Sequence, residues 1–226
     1  MVMLPIDDAD RERIAAAVAK AERESDGEIV TIVAPRSDAY HDVGLHFAVL
    51  AMLLAPTAAA LAPQSWIDWG TSLVFGWNAA PGFRLLMLLL LGKMILFFLI
   101  VRYALAWMPL RMALTPKGTK HRRVQRRAVE LFRITTNQRT KGRTGILLYV
   151  SLLERRAEIV ADEAIHSQVE PEVWGEAMAA LVTEIAAGRP GEGMVQAVEK
   201  IGEVLAKCLP PRAENPNELP DRLIEI

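Results

Sequence analysis

The residues best suited to chemistry in this chain are four carboxylates, Asp26, Glu28, Asp162 and Glu163, which bracket short apolar runs. Asp26 and Glu28 stand at the start of EIVTIVA (28–34), and Asp162 and Glu163 follow the end of RAEIVA (156–161). If both runs are strands of one sheet, with a parallel and then an antiparallel step between them, the four carboxylates converge on one edge. Oxygen donors in that arrangement suit a hard cation, Ca²⁺ or Mg²⁺, and such a cation can assist phosphate hydrolysis. The alternative is a solvated acidic edge on which Asp26 merely caps a helix. No residue stands out as catalytic in its own right. There is no P-loop, Gly-x-Ser-x-Gly elbow or His-Glu-x-x-His helix, and His41, His46, His121 and His166 are scattered. A single cysteine, Cys208, excludes an internal disulfide and a cysteine metal cage.

Those carboxylates meet only if the chain between them folds as its patterns predict. Glu28–Ala34 is rich in β-branched residues, is bounded by Gly27 and Pro35, and reads as a mostly buried strand. Gly145–Ser151 (GILLYVS) and Arg156–Ala161 read as two more, joined by a tight hairpin around 152–155. Residues 5–25 read as a helix with a modest apolar face of Ile14, Ala17, Val18 and Ala21. Val124, Ala128, Leu131, Phe132 and Thr135 predict another over 117–139. Beyond the hairpin, Pro171 sits at a first helical position, ahead of Trp174, Ala177, Met178, Leu181 and Ile185. Met194, Val198, Ile201 and Leu205 mark a last helix, stopped by Pro210 and Pro211, and the polar tail 210–226 reads as flexible. Without residues 44–110 the order is helix, strand, helix, hairpin, helix, helix. That is an α/β domain, a small central sheet flanked by helices, made of residues 1–43 and 111–209, with strands 28–34 and 145–151 parallel through a crossover.

The segment set aside, 44–110, is apolar. Only Gly92 and Lys93 interrupt residues 85–101, and about 20 such residues cross a bilayer core. The run 85–110 is therefore expected to span a membrane as a helix. Residues 45–62 form a fainter run, expected to span with a kink at Pro56, or else to lie re-entrant or interfacial. The stretch 63–83 has no Lys or Arg, and Trp66, Trp69, Leu73 and Trp77 share one helical stripe. This suits a short helix at headgroup level, with a tryptophan-lined ligand site as the alternative. Lys93 is an intramembrane charge that reaches the interface by snorkelling or touches a neighbouring helix. A small oligomeric channel or transporter built on Lys93 is a further reading, and a two-span hairpin could pack with copies of itself.

Over 226 residues the net charge is −1, yet residues 111–143 hold eleven Lys/Arg against one acid. Cations flanking a span mark its cytoplasmic side. With a cation-free loop across the membrane, both termini are expected in the cytoplasm, at the inner membrane of a bacterial cell. Arg122, Arg123, Arg126 and Arg127, together with Arg155 and Arg156 of the hairpin, are expected to meet anionic lipid headgroups. No base-reading motif or stacking aromatic accompanies these cations, which argues against nucleic acid. Residues 1–26 are acidic and amphipathic, without the layout of a cleaved signal.

The soluble part resembles the TPM domain of bacterial and thylakoid membrane proteins, and in particular its short two-span bacterial members. The resemblance runs through ERESDGEIVTIV (22–33), GRTGILLYVSLLERRAEIVAD (142–162) and residues 165–205, and the tail Asn217-Glu218-Leu219-Pro220-Asp221 is similar too. It implies a central sheet flanked by helices. It also implies one of several activities described for relatives: a cation-binding acid phosphatase, a photosystem-maintenance factor or a receptor accessory protein. Many relatives place the domain outside the cytoplasm behind a cleaved signal, unlike the layout expected here. The expected function is a membrane-anchored, non-enzymatic module that binds or scaffolds membrane-associated proteins. The alternative is a divalent-cation-dependent phosphatase that uses the acidic edge.

Overall fold

Two runs of seven mostly apolar residues, Glu28–Ala34 and Gly145–Ser151, form strands that are buried along their whole length, as expected of neighbours in a parallel sheet covered on both faces. The computed structural model describes residues 6–76, 82–135, 144–169, 173–211 and 219–226. It divides into two units, Met1–Asp38 with Lys117–Ile226, and Ala39–Pro116. The chain runs through α1 (Asp8–Glu24), β1 (Glu28–Ala34), α2 (His41–Leu61), α3 (Gln64–Phe75), α4 (Phe83–Ala104) and α5 (Met108–Leu114). It continues with α6 (Lys117–Thr135), β2 (Gly145–Ser151), β3 (Arg156–Ala161), α7 (Glu163–His166), α8 (Val173–Ala186), α9 (Pro190–Cys208) and β4 (Ile224–Glu225).

The first unit is built on a sheet of order β3-β2-β1-β4. β1 and β2 are parallel, with Glu28 opposite Gly145 and Ala34 opposite Ser151. β3 returns antiparallel to β2, with Ile146 opposite Ala161. Alternate side chains of the strands feed two cores. Ile29, Val33, Ile146 and Leu148 pack with Ile14 and Val18 of α1, Leu181 of α8 and Ile201 and Leu205 of α9. On the opposite face Val30, Ile32, Leu147 and Tyr149 meet Val124, Ala128, Leu131 and Phe132 of α6.

The tail differs from its flexible reading over 219–226. Leu219 and Leu223 are buried, and Ile224 pairs in parallel with Ile32, so the chain end adds a fourth strand to β1. Two residues of strand among polar neighbours carry too little alternation to be read from sequence. Residues 212–218, with Asn217 and Glu218, lie outside the described part, as do Trp77, Arg139, Lys141, Arg143 and Pro171.

In the second unit α2 and α4 pack antiparallel, because Gly44 near the start of α2 meets Leu105 just past the end of α4. The run 85–110 is not one helix. α4 ends at Ala104, the chain turns through 105–107, and α5 starts with Pro109 in its first turn, where a missing N–H costs nothing. Arg111 secures this junction. Its buried guanidinium donates to the carbonyls of Leu105 (2.7 Å) and Ala39 (2.6 Å) and more loosely to Ala106 (3.4 Å). The carbonyls of Leu105 and Ala106, just past the end of α4, lack intrahelical partners, and together with Ala39 O ahead of α2 they solvate the buried charge. Beside it Tyr40 is fully buried in a left-handed conformation, φ 53°, at a cost of about 1 kcal/mol or more that its packing must offset. α3 leaves Trp66, Trp69 and Leu73 exposed.

α1 and α9 cross at Gly202, where an added Cβ would lie 2.7 Å from the Cβ of Ala21. Gly202→Val should push the two helices apart and cost about 1–3 kcal/mol, read as a lower denaturation midpoint of the full chain in detergent.

Candidate functional site

The parallel pairing gives the two ends of the sheet opposite chemistry. At the end where β1 and β2 begin, the register brings Asp26, Glu28, Asp162 and Glu163 to one edge. Their side chains are engaged locally. Asp162 closes the β2–β3 ladder: its N–H donates to Gly145 O (2.9 Å) and its carboxylate accepts from Gly145 N–H (3.1 Å). The Glu28 carboxylate accepts from Leu219 N–H at 3.0 Å and so holds the tail. Asp26 follows the end of α1, and its N–H donates to Leu209 O (2.9 Å). Glu163 is exposed at the start of α7. Among the described residues no group of three or more His, Cys, Asp or Glu is arranged to hold a metal ion.

A carboxyl that the sequence reading passed over dominates this end. Glu22 of α1 is 7% exposed and accepts from Ile29 N–H at 2.8 Å. Burial first, then the nearby charges of Glu28 and Asp221 and a hydrogen bond with Asp221, push its pKa up to about 8, against the backbone bond that lowers it. At neutral pH Glu22 is therefore largely protonated, and it is a structural clasp between α1, β1 and the tail. Its spacing was a legible signal, since Glu22 falls four residues after Val18 and eight after Ile14, on the buried stripe.

The other end is basic and open. The hairpin turn is tied to β1, with the N–H groups of Leu152 and Leu153 donating to Ala34 O and Pro35 O, both at 3.0 Å. Beneath it Ser37 bonds the Tyr149 hydroxyl (3.0 Å) and Ser151 (2.9 Å), and Glu154 accepts from Ser37 N–H (2.9 Å) and Ser151 Oγ (2.5 Å). Burial pushes the Tyr149 phenol up. From this turn a groove of about 790 Å³ runs along the outer edge of β3. One wall is the start of α6, with Lys117, Lys120 and His121; the other is α8, with Trp174, Met178 and Val182; Arg155 and Arg156 of the hairpin line it too. His121 lies 3.1 Å from Glu158, whose pKa burial raises in spite of that imidazole and Arg156.

The expected basic residues are thus divided. Arg155 and Arg156 join Lys117 and Lys120 in the groove. Arg123 and Arg126 reach Asp38 at 3.0 and 3.4 Å, Arg127 reaches Glu130 at 3.4 Å, and Arg122 is exposed. Lys93 is exposed on α4. The groove escaped the sequence reading because its walls come from residues 117–121 and 174–182, more than fifty positions apart in the chain.

Residues 110–204 match the family model described as the TPM domain. The match begins at 110, beyond α1, β1 and most of the apolar unit. The chain is also similar to the solved NMR structure of the BA42 protein from the psychrophilic bacterium Bizionia argentinensis, with a TM-score of 0.56 and 16% identity, over 100% of this chain and 99% of that one. At that identity the likeness concerns the fold alone. No curated protein matches the chain. The α/β unit, a small central sheet flanked by helices, is TPM-like.

In the unfolded chain Glu22 ionises near its ordinary value of 4.5, and in the folded chain near 8. Between those values the folded state holds a proton that the unfolded state has released, so stability falls as pH rises through that window and levels off above it. Glu22→Gln should flatten this decline and gain on the parent protein by up to a few kcal/mol above pH ~8. Urea unfolding at acid, neutral and alkaline pH measures it.

Proposed function

We propose that the chain is a membrane-anchored binding module without catalytic activity, in which α2 and α4 cross the bilayer and the α/β unit offers the β3 groove to other membrane-associated proteins. The observation that carries this reading is the surface of α4. The helix is long and apolar enough to cross a membrane, and 0% of its most apolar window is buried inside the protein. Each large apolar side chain left in water forgoes roughly 1.5–3 kcal/mol of burial, and Leu88, Leu91, Ile95, Leu96 and Ile100 are all at least half exposed. Hydrocarbon is the solvent that such a helix fits. α2 has the same character, with 17% of its window buried. Trp66 and Trp69 on α3 suit the headgroup level, and the cations that follow α5 suit the cytoplasmic side, facing anionic lipid.

The acidic edge supports binding less than structure: Glu28 and Asp162 each accept a backbone N–H, and Glu22 is a buried acid. This is why a cation-dependent phosphatase is the weaker reading. The purified full chain should hydrolyse p-nitrophenyl phosphate no faster than blank micelles, with or without Ca²⁺ or Mg²⁺; metal-dependent hydrolysis lost in Asp162→Ala would overturn the non-enzymatic reading.

Anchoring and orientation are tested by labelling Thr71→Cys and Glu203→Cys in a Cys208→Ser background. The protein should stay with membranes through a carbonate wash, position 71 should label from outside intact cells, and position 203 only after permeabilisation. Release by carbonate, or labelling of position 203 from outside, would overturn the arrangement.

A further inference from the structure

Building on the reading of the chain as a binding module, we propose that the groove takes an extended polypeptide segment that alternates acidic and apolar residues, bound by strand addition to β3. β3 ends the sheet on its side, and among the described residues no strand pairs with its outer edge. In an antiparallel pair successive residues turn their backbone groups alternately toward and away from the partner. Asp162 N–H donates to Gly145 O of β2, so the positions of its parity, 156, 158 and 160, face β2. Ala157, Ile159 and Ala161 therefore direct N–H and C=O outward, and all three line the groove. Natural edge strands are usually blunted by proline, bulges or inward charges. β3 has no proline, and its pairing from Arg156 to Ala161 is continuous.

The two walls specify what kind of strand would fit. Side chains of an added strand alternate between the faces of the sheet. On the α6 face they would meet Lys117, Lys120 and Arg156, while the two carboxylates that line the groove are already engaged, Glu158 by His121 at 3.1 Å and Glu154 by Ser37 N–H and Ser151 Oγ. On the α8 face they would meet Ala157, Ile159, Trp174 and Met178, which pack on the apolar core. A segment with carboxylates at every second position satisfies the first wall, and apolar residues between them satisfy the second. Main-chain pairing supplies affinity and the alternating side chains supply selection, as in other strand-addition sites. A second copy of this chain fits less well, because its own β3 carries Arg156 toward a wall of the same sign.

The test uses the full chain in neutral detergent micelles and two fluorescein-labelled peptides, Glu-Val-Glu-Val-Glu-Val-Glu and its lysine counterpart Lys-Val-Lys-Val-Lys-Val-Lys, followed by anisotropy. The acidic peptide should bind saturably and the basic one at least about tenfold more weakly, the sign of discrimination expected of complementary charge. Lys117→Glu with Lys120→Glu, both at the surface, should weaken the acidic peptide by a similar factor. Ile159→Pro removes an outward N–H without touching the β2 ladder and should abolish binding, while hydrogen exchange in the parent protein should slow at 157, 159 and 161 on adding the peptide. Equal binding of both peptides, no saturable binding, or exchange unchanged at those amides would overturn the proposal. If Ile159→Pro fails to fold, the lysine variants and the exchange pattern decide. Amides already protected without peptide in a dimer-sized particle would assign the groove to a second copy instead. Failure here with position 71 still labelling from outside removes strand addition and leaves the anchor; release from the membrane removes the anchored module itself.

Discussion

Everything in the α/β unit depends on the parallel pairing of β1 with β2. Parallel neighbours cannot be joined by a tight turn, so the chain between Ala34 and Gly145 has to leave the sheet and return to the end where it began. It does so by way of the apolar unit and then α6, which covers one face of the sheet on the way back. The long excursion costs little extra closure entropy, since that cost grows only with the logarithm of loop length. What it secures is polarity: both strands begin at one end and finish at the other.

That polarity separates two chemistries. Where the strands begin, carboxyl groups gather, and the fold neutralises the gathering by keeping Glu22 protonated and by turning Glu28 and Asp162 onto backbone N–H groups. These bonds fasten the tail and the hairpin, so the acidic edge is a set of structural contacts. Where the strands end, the hairpin turn places cations around an edge whose backbone groups point outward. The acidic end is closed by its own residues, while the outward backbone groups of Ala157, Ile159 and Ala161 run along the outer edge of β3 from the hairpin turn toward that end.

The apolar unit follows a different constraint. Its two long helices pack against each other yet leave few residues of their apolar windows buried, and a polar problem arises where α4 stops. Arg111 resolves it by donating to Leu105, Ala39 and Ala106. A buried charge is tolerated only when its partners are well placed, and the bare carbonyls at a helix end are such partners.

By itself the sequence determined the three main strands, β1 as a β-branched run cut off by Gly27 and Pro35 and β2 and β3 as two apolar runs one tight turn apart, and the helices α1, α6, α8 and α9, whose apolar stripes recur at helical spacing. It also determined the two long apolar runs, because hydropathy is additive along a chain. The tertiary structure alone decided the rest. Whether 85–110 is one helix depended on how Arg111 solvates a turn; whether the tail is held depended on Glu28 and on a free edge of β1. Whether Glu22 carries a charge depended on burial beside two other acids, and the groove exists only because α6 and α8 flank the same edge strand. Local pattern reaches as far as one element's own period, whereas burial, protonation and the walls of a groove belong to residues that meet only when the chain has folded.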